Sequence, residues 1–382
     1  MSVNMPNIVK DRTLADVQKV KELLAKKYQN MTATEQARWN GYMKGRFTYQ
    51  DMNRLCSYLN YARTIYDNSY YKRTGTHPST TSLPTNWTIT DTPYSSAFNS
   101  IISVLNSYLT ATRIYDNISL TSFDYANFNK IEENVEKLDS YVTIEDENGV
   151  VSNISLGQGQ IINIENYITT DDNRNKVVFN CPLANLDGDY SKLYNTKVVD
   201  LSKVGYFWDG NYSVPDGIYF TGSLIIEKVI LNDVNNFYLY ANAFKGCRNL
   251  KEINLKACRE LVGDSIFTNC RSLEKVEMTS LVSISGKYQF EWCSNLKDFT
   301  MIPSYYVGIP DYFWVQCQSL TNVVLGNKIT SIGKYVFRNC TSLHSIKYLG
   351  TMSEWNTITK DANWKTDSVL STVVCTDGTI SV

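Results

Sequence analysis

The chain has 382 residues, 43% of them apolar and 20% charged, enough for more than one packed core. Its 37 basic and 38 acidic side chains leave a formal charge of -1, so no overall field draws it to nucleic acid or to an anionic membrane. The opening MSVNMPNIVKDRTLADVQ has no leader-like apolar stretch and no apolar run of about 18 residues occurs after it, so neither a secretory signal nor membrane insertion is expected of these residues.

Residues 1–142 read as a helical domain. Thr13 and Asp16 form an N-cap with an acidic residue three positions on, and Thr32 with Glu35 forms a capping box before a short helix ending near Gly45. Thr48 then caps a long segment whose Met52, Leu55, Cys56, Leu59, Ala62 and Ile65 make one apolar stripe. KRTGTHPSTTSLPTNWTITD, residues 72–91, reads as a loop. Thr92 and Pro93 start the next helix, with Phe98, Ile101, Leu105 and Leu109, and Ser122 starts a last one, with Phe128, Ile131, Val135 and Leu138. SYLNYARTIYDN at Ser57 to Asn68 echoes SYLTATRIYDN at Ser107 to Asn117, which implies two helices that end alike, with Arg63 and Arg113 paired to nearby aspartates or solvated.

Residues 143–222 change period. SYVTIEDENG, RNKVVFNC and NTKVVDLS are short, β-branched and bounded by Asn, Asp and Gly, which reads as a β-rich connector. It forms either a small sheet of its own or a cap on the segment C-terminal to it.

The last third of the chain is a repeat. Phe244, Cys247 and Leu250 recur as Phe267, Cys270 and Leu273, as Phe290, Cys293 and Leu296, as Trp314, Cys317 and Leu320, and as Phe337, Cys340 and Leu343. The five cysteines lie 23, 23, 24 and 23 residues apart, the signature of a solenoid whose units bury their apolar faces on one another. After each leucine, an apolar-x-apolar stretch such as Ile346-Lys-Tyr348 reads as a short strand, and stacking these predicts one long parallel ladder. The unit at Leu224 to Leu231 lacks the Cys and Leu letters. Nine cysteines are an odd count, and stacked equivalents point their Cβ atoms in parallel, so buried free thiols are expected and neither disulfides nor a metal ladder.

On these residues, 223–382 resembles the cysteine-containing BspA-like leucine-rich repeats of bacterial surface proteins, with Leu349 to Gly378 similar to that family's C-terminal cap and Trp355 and Trp364 closing it. Trp314 in place of Phe, and the longer interval before it, depart from the pattern. Asp11 to Asp67, followed by Trp87-Thr-Ile-Thr-Asp91-Thr-Pro93 and Phe123 to Glu132, resembles a structural module associated with phage and prophage tails of gut Firmicutes, over residues 10–142. Together these imply a multidomain chain: an all-α N-terminal domain (1–142), a β-rich connector or cap (143–222) and a leucine-rich-repeat solenoid with a parallel β ladder (223–382, its cap from about 349).

No catalytic residues, cofactor or metal are expected. The two histidines are His77, in the Gly/Thr/Pro loop, and His344, in a slot shared with Lys251, Glu274, Lys297 and Thr321, which only a solvated position tolerates. Pairs such as Asp171-Asp172 and Glu132-Glu133 read as solvated faces, and no phosphate-binding or nucleophile motif occurs. The candidate function is binding, through Lys251, Glu252, Asn254, Glu274, Lys275, Glu277, Lys297, Asp298, Asn322, His344 and Lys347, whose mixed signs suit a protein or glycan on a cell surface. The two resemblances imply a tail component, its helices docked to other tail proteins, cytoplasmic before assembly and then in the virion. The alternatives are a cell-surface adhesin of the repeat family and a purely structural spacer.

Overall fold

A computed structural model of the chain describes residues 13–26, 28–40, 49–74, 82–86, 95–112, 117–119, 125–138, 140–155, 161–163, 174–187, 193, 195–207, 220–231 and 237–382. Gly45, Thr48, His77, Trp87 to Pro93, Arg113, Ser122, Asp171 and Asp172 lie outside the described residues. The chain divides into two compact units, one of residues 1–140, 157–160 and 181–184, the other of 141–156, 161–180 and 185–382.

In the first unit, local chemistry sets the helix starts. Thr13 and Asp16 exchange bonds at the head of α1 (Leu14–Lys26), the Thr13 N–H donating to Asp16 at 2.7 Å and the Asp16 N–H to the Thr13 hydroxyl at 3.2 Å. After a 3-10 turn at Tyr28–Asn30, Thr32 and Glu35 do the same for α2 (Ala33–Asn40), at 2.9 and 3.2 Å. Lys26 donates to Glu35 at 2.7 Å, and with the Thr32 N–H holds that carboxyl down at about 2.

The long helix α3 (Tyr49–Thr74) packs on α4 (Ser95–Thr112) and α5 (Tyr125–Glu136). Met52, Leu55, Leu59 and Ala62 meet Ile101, Leu105, Leu109, Ile131 and Val135 in a core where each full side chain contributes about 1.5–3 kcal/mol. Asn60 clasps the backbone of Leu83, its carboxamide donating and accepting at 2.7 Å, and Asn106 clasps Ile118 in the same way at 2.9 and 2.8 Å. Two expectations are corrected. The echoed segment does not end α3 at Asn68, because no breaker occurs before Gly75 and the helix runs to Thr74. Glu132 is not solvated: it is fully buried and ion-paired with Arg54, which also meets buried Asp51 at 2.9 Å, while Glu133 is exposed.

In the second unit, β1 (Tyr141–Asp146) and β2 (Val151–Ser155) form a hairpin turned at Asn148-Gly149, where the glycine takes φ +78°. With β3 (Ile161–Asn163), β4 (Arg174–Asp187) and β5 (Thr196–Phe207) they make a sheet that continues into the repeats. The continuation is parallel, β5 pairing with β6 (Lys228–Ile230) through Val199 and Val229. The connector is therefore both a sheet and a cap on the first repeat, which hides an edge that would otherwise meet water.

The repeats then alternate between two sets of strands. One set comprises β7 (Phe237–Tyr240), β9 (Cys258–Val262), β11 (Ser283–Ile284), β13 (Val307–Ile309), β15 (Ile329–Ile332) and, beyond helix α6 (Met352–Thr357), β17 (Thr359–Lys360). The other comprises β6, β8 (Glu252–Ile253), β10 (Lys275–Met278), β12 (Asp298–Met301), β14 (Asn322–Leu325), β16 (Ser345–Tyr348) and β18 (Thr372–Cys375), closed by antiparallel β19 (Gly378–Ser381).

The single long ladder expected from the strands is corrected to interrupted ones: β8 does not pair with β10, nor β11 with β13. The second break has a visible cause, since Ile284 to Ile309 spans 25 residues against 23 from Leu261 to Ile284 and from Ile309 to Ile332. The surplus sits in the loop after β12 and carries Tyr305 and Tyr306.

Between the two sets of strands lies the stacked core. Phe220, Phe244, Phe267 and Phe290 stack with ring centroids 4.9–5.4 Å apart, and Trp314 resumes the stack on Phe337 at 5.1 Å. Phe313 packs against Phe290 at the longer interval. Trp355 and Trp364 close the end against Tyr348 and Phe337. All nine cysteines are free and buried.

Candidate binding surface

The strand period of two sorts every rung of the second ladder into buried and outward positions. Val229, Ile253, Val276, Phe299, Val323 and Ile346 point into the core, and the residues on either side point out. Outward positions in successive rungs are Lys228 and Ile230, Glu252 and Asn254, Lys275 and Glu277, Asp298 and Thr300, Asn322 and Val324, Ser345 and Lys347. Just before the strands stand Glu227, Lys251, Glu274, Lys297, Thr321 and His344. The eleven residues singled out from the sequence thus lie in three columns on one face.

Their charges alternate in both directions. Across rungs one column runs Glu227, Lys251, Glu274, Lys297 and the next runs Lys228, Glu252, Lys275, Asp298, each residue of one column beside an opposite charge of the other. Ion pairs fix the pattern: Lys251 with Glu227 at 2.7 Å, Lys228 with Glu252, Lys297 with Glu274 at 3.4 Å, and Glu277 with Lys275 at 2.7 Å and Lys256 at 3.3 Å. Glu227 raises the Lys251 ammonium and Lys275 lowers the Glu277 carboxyl by these bonds. Exposed pairs of this kind contribute only about 0–1 kcal/mol each, so they place charge more than they stabilise.

Where β8 and β10 part, a cleft of about 680 Å³ opens, with Lys228, Lys251, Glu252, Lys256, Glu274, Lys275 and Glu277 on its rim and Val229, Ile253 and Leu255 on its floor. Ile253 is 7% exposed there, whereas its slot is 2% or less in Val229, Val276, Phe299, Val323 and Ile346. No ion pair joins Lys251 to Glu274 or Glu252 to Lys275 across this break among the described residues. Six of the eleven sequence-derived residues line the cleft, Lys297 and Asp298 stand one rung further on, and Asn322, His344 and Lys347 lie at two and three rungs.

Sequence reasoning missed the partners Glu227 and Lys228, and it missed Tyr305 and Tyr306, 63% and 65% exposed, next to exposed Ile302. The lengthened interval before Cys317 was their only signal. Among the described residues no group of His, Cys, Asp and Glu side chains could hold a metal ion, and no helix is long and apolar enough to cross a membrane.

Stacked units with buried Phe, Cys and Leu slots and one outward strand face define a leucine-rich-repeat solenoid. Within it, residues 218–344 and 307–365 match the BspA type leucine rich repeat region, in six copies. This class consists of non-catalytic binding scaffolds. The match begins ahead of Leu224, and the fold explains why. Phe220, Ser223 and Ile226 fill the Phe, Cys and Leu slots, each 24 residues before Phe244, Cys247 and Leu250, so the unit that lacked the signature letters is a repeat with two substitutions.

Two solved structures are similar to the chain. One is a leucine-rich repeat protein from Bacteroides ovatus ATCC 8483, 18% identical, covering 63% of this chain and 70% of that one with a TM-score of 0.26. The other is a leucine rich cell surface protein from Faecalibacterium prausnitzii A2-165, 17% identical, covering 47% and 77% with a TM-score of 0.23. No curated protein matches the chain. Nothing among these matches supports the tail-module resemblance of residues 10–142.

Proposed function

We propose that the chain is a bacterial cell-surface binding protein that engages a polypeptide partner through the outward face of the β6 to β16 rungs. The alternation of charge on that face carries the reading. Rungs repeat about every 4.8 Å, so the sign reverses within less than the Debye length of about 8 Å. Seen from a distance the columns cancel, and a polyanion or polycation gains nothing from them. At contact range they select a surface that itself carries both signs at short spacing, which is polypeptide chemistry. The apolar floor of the cleft, and the exposed Tyr305 and Tyr306 in the loop after β12, supply the apolar area that charges alone do not.

The test is binding of the full chain to bacterial and host cell surfaces, compared with the double reversal Lys251→Glu and Glu274→Lys. That reversal preserves net charge and inverts the local pattern. A loss of saturable, protease-sensitive binding of tenfold or more supports the proposal. Binding that survives the reversal puts recognition off this face, the absence of any saturable binding points to a spacer, and co-purification of the chain with phage particles instead of cell surfaces overturns the location.

A further inference from the structure

Every repeat turns between its two strands through six residues that include two left-handed positions. The first is held by Asn242, Ser265, Tyr288, Tyr312 and Tyr335, the second by Gly246, Asn269, Trp292, Gln316 and Asn339, all at φ between +55° and +79°. Gly and Asn are ordinary occupants of this conformation, but a bulky side chain is strained in it. The tyrosines offset the strain by stacking, Tyr288 on Tyr312 at 4.7 Å and Tyr312 on Tyr335 at 5.5 Å, with Lys334 and Arg338 over the last ring.

Trp292 has no such compensation. It takes φ +60°, is 43% exposed, and its indole stacks on no other ring among the described residues. The turn does not require it, since the other four repeats close with Gly, Asn or Gln. Its equivalents in the neighbouring repeats, Asn269 and Gln316, are uncharged and polar. Backbone bonds Asn269 N–H to Glu291 O and Trp292 N–H to Val315 O hold Asn269 and Gln316 one repeat to either side, about 10 Å apart in all. The Asn269 carboxamide oxygen accepts from Arg271 Nε at 2.7 Å and that of Gln316 from Gln318 at 3.4 Å, and both half-buried carboxamides keep NH₂ groups that can donate to a ligand.

An exposed indole between two carboxamide donors matches the two faces of a sugar, its C–H surface and its hydroxyl oxygens. We propose that Trp292, Asn269 and Gln316 form a second site, on the turns and separate from the strand face, that takes a short uncharged oligosaccharide. The strain at Trp292 is retained because the ring works on a ligand and not on the fold.

The test uses the full chain on an array of neutral oligosaccharides, with sialylated and sulfated glycans as the charged arm. Trp292→Ala should lower neutral-glycan binding at least tenfold, Trp292→Phe should keep part of it, and the Lys251→Glu, Glu274→Lys reversal should leave it intact. Trp292→Gly separates ligand binding from folding: it relieves the left-handed strain, so binding is lost while the thermal midpoint rises. A falling midpoint with Trp292→Gly makes the residue structural and overturns the inference. So does the absence of glycan binding, a preference for the charged arm, or binding that survives Trp292→Ala.

Discussion

Cys247 Sγ donates to the carbonyl oxygen of Phe220, 2.9 Å away and 27 residues back in the chain. The relationship recurs from Cys270 to Phe244 at 3.0 Å, Cys293 to Phe267 at 3.2 Å, Cys317 to Phe290 at 3.1 Å and Cys340 to Trp314 at 3.2 Å. The cysteine slot is thus a hydrogen-bonding position as well as an apolar one. Each of these carbonyls already accepts from a backbone N–H of its own unit, as Phe267 does from Cys270 at 3.2 Å, and the thiol adds a second bond that ties neighbouring repeats together.

Substitution in this slot should give a graded response. Cys293→Ser retains a donor and should cost about 1 kcal/mol. Cys293→Val removes the thiol bond, leaves the Phe267 carbonyl with the Cys270 N–H as its remaining donor and adds a β-branch in a packed slot, for about 2 kcal/mol. Equal losses for the two in denaturant melts would reduce the slot to mere volume.

Alkaline pH should weaken the repeat unit through the same thiols. Burial pushes Cys247 and Cys340 from 9.0 up to about 12, and Cys270 and Cys317 well above the ordinary range. The folded state keeps the neutral thiol while the unfolded chain ionises, so the contribution is complete below about pH 9 and is lost between there and about pH 12. Each group contributes about 1.4 kcal/mol per pH unit in that window. Stability of the wild type against the Cys247→Ser, Cys340→Ser double variant, measured from pH 8 to about 11, should fall more steeply for the wild type by up to about two protons.

The five Phe/Trp, Cys and Leu slots were legible because one unit's letters repeat against another's, and the Thr13 and Thr32 caps because their bonds are local. The outward face came from strand alternation alone. Other features depend on geometry that no local window holds. Ser223 and Ile226 keep the two slots buried while changing the letters. Glu132 reads as solvent-facing until Arg54, 78 residues away, comes beside it. The ladder breaks at β8 and β11 are set by how neighbouring units settle, and only the second left a trace in repeat length.

That Arg54 pair should anchor the helical unit. Asp51 and Glu132 are both fully buried, so Arg54→Met leaves two carboxylates without this cation and should cost about 3–5 kcal/mol. Glu132→Gln keeps an acceptor for the guanidinium and should cost about half as much. Hydrogen exchange on α3 and α5 would show the difference, with peptides from the repeats unchanged.

The C-terminal cap should matter mainly to its neighbour. Thr351 and Glu354 form a reciprocal capping box on α6, and fully buried Trp355 sits between Tyr348 and Trp364 with Lys360 Nζ 4.8 Å over its ring. Thr351→Ala should cost about 1 kcal/mol and Trp355→Ala about 3–5 kcal/mol. Because a solenoid is stabilised neighbour by neighbour, faster exchange should appear in β16 and β18 and fade before β10. Uniform loosening of every repeat would instead mean that the solenoid unfolds as one block.

Tyr305 and Tyr306 test whether the face recognises a partner or only spaces one unit from another. They stand in the lengthened loop, edge to face at 6.1 Å, with well over half of each ring in water. Their truncation should change folding stability by no more than about 0.5 kcal/mol, as for other surface positions. Tyrosines of this kind are frequent interface anchors, because a rigid ring buries large area at little entropic cost while its hydroxyl keeps a partner. The Tyr305→Ala, Tyr306→Ala double variant should therefore melt like the wild type and lose protease-sensitive cell-surface binding about tenfold, or about 1.4 kcal/mol. Stability loss without binding loss would assign the pair to the fold, and the charged rungs would then have to hold a partner without these two tyrosines.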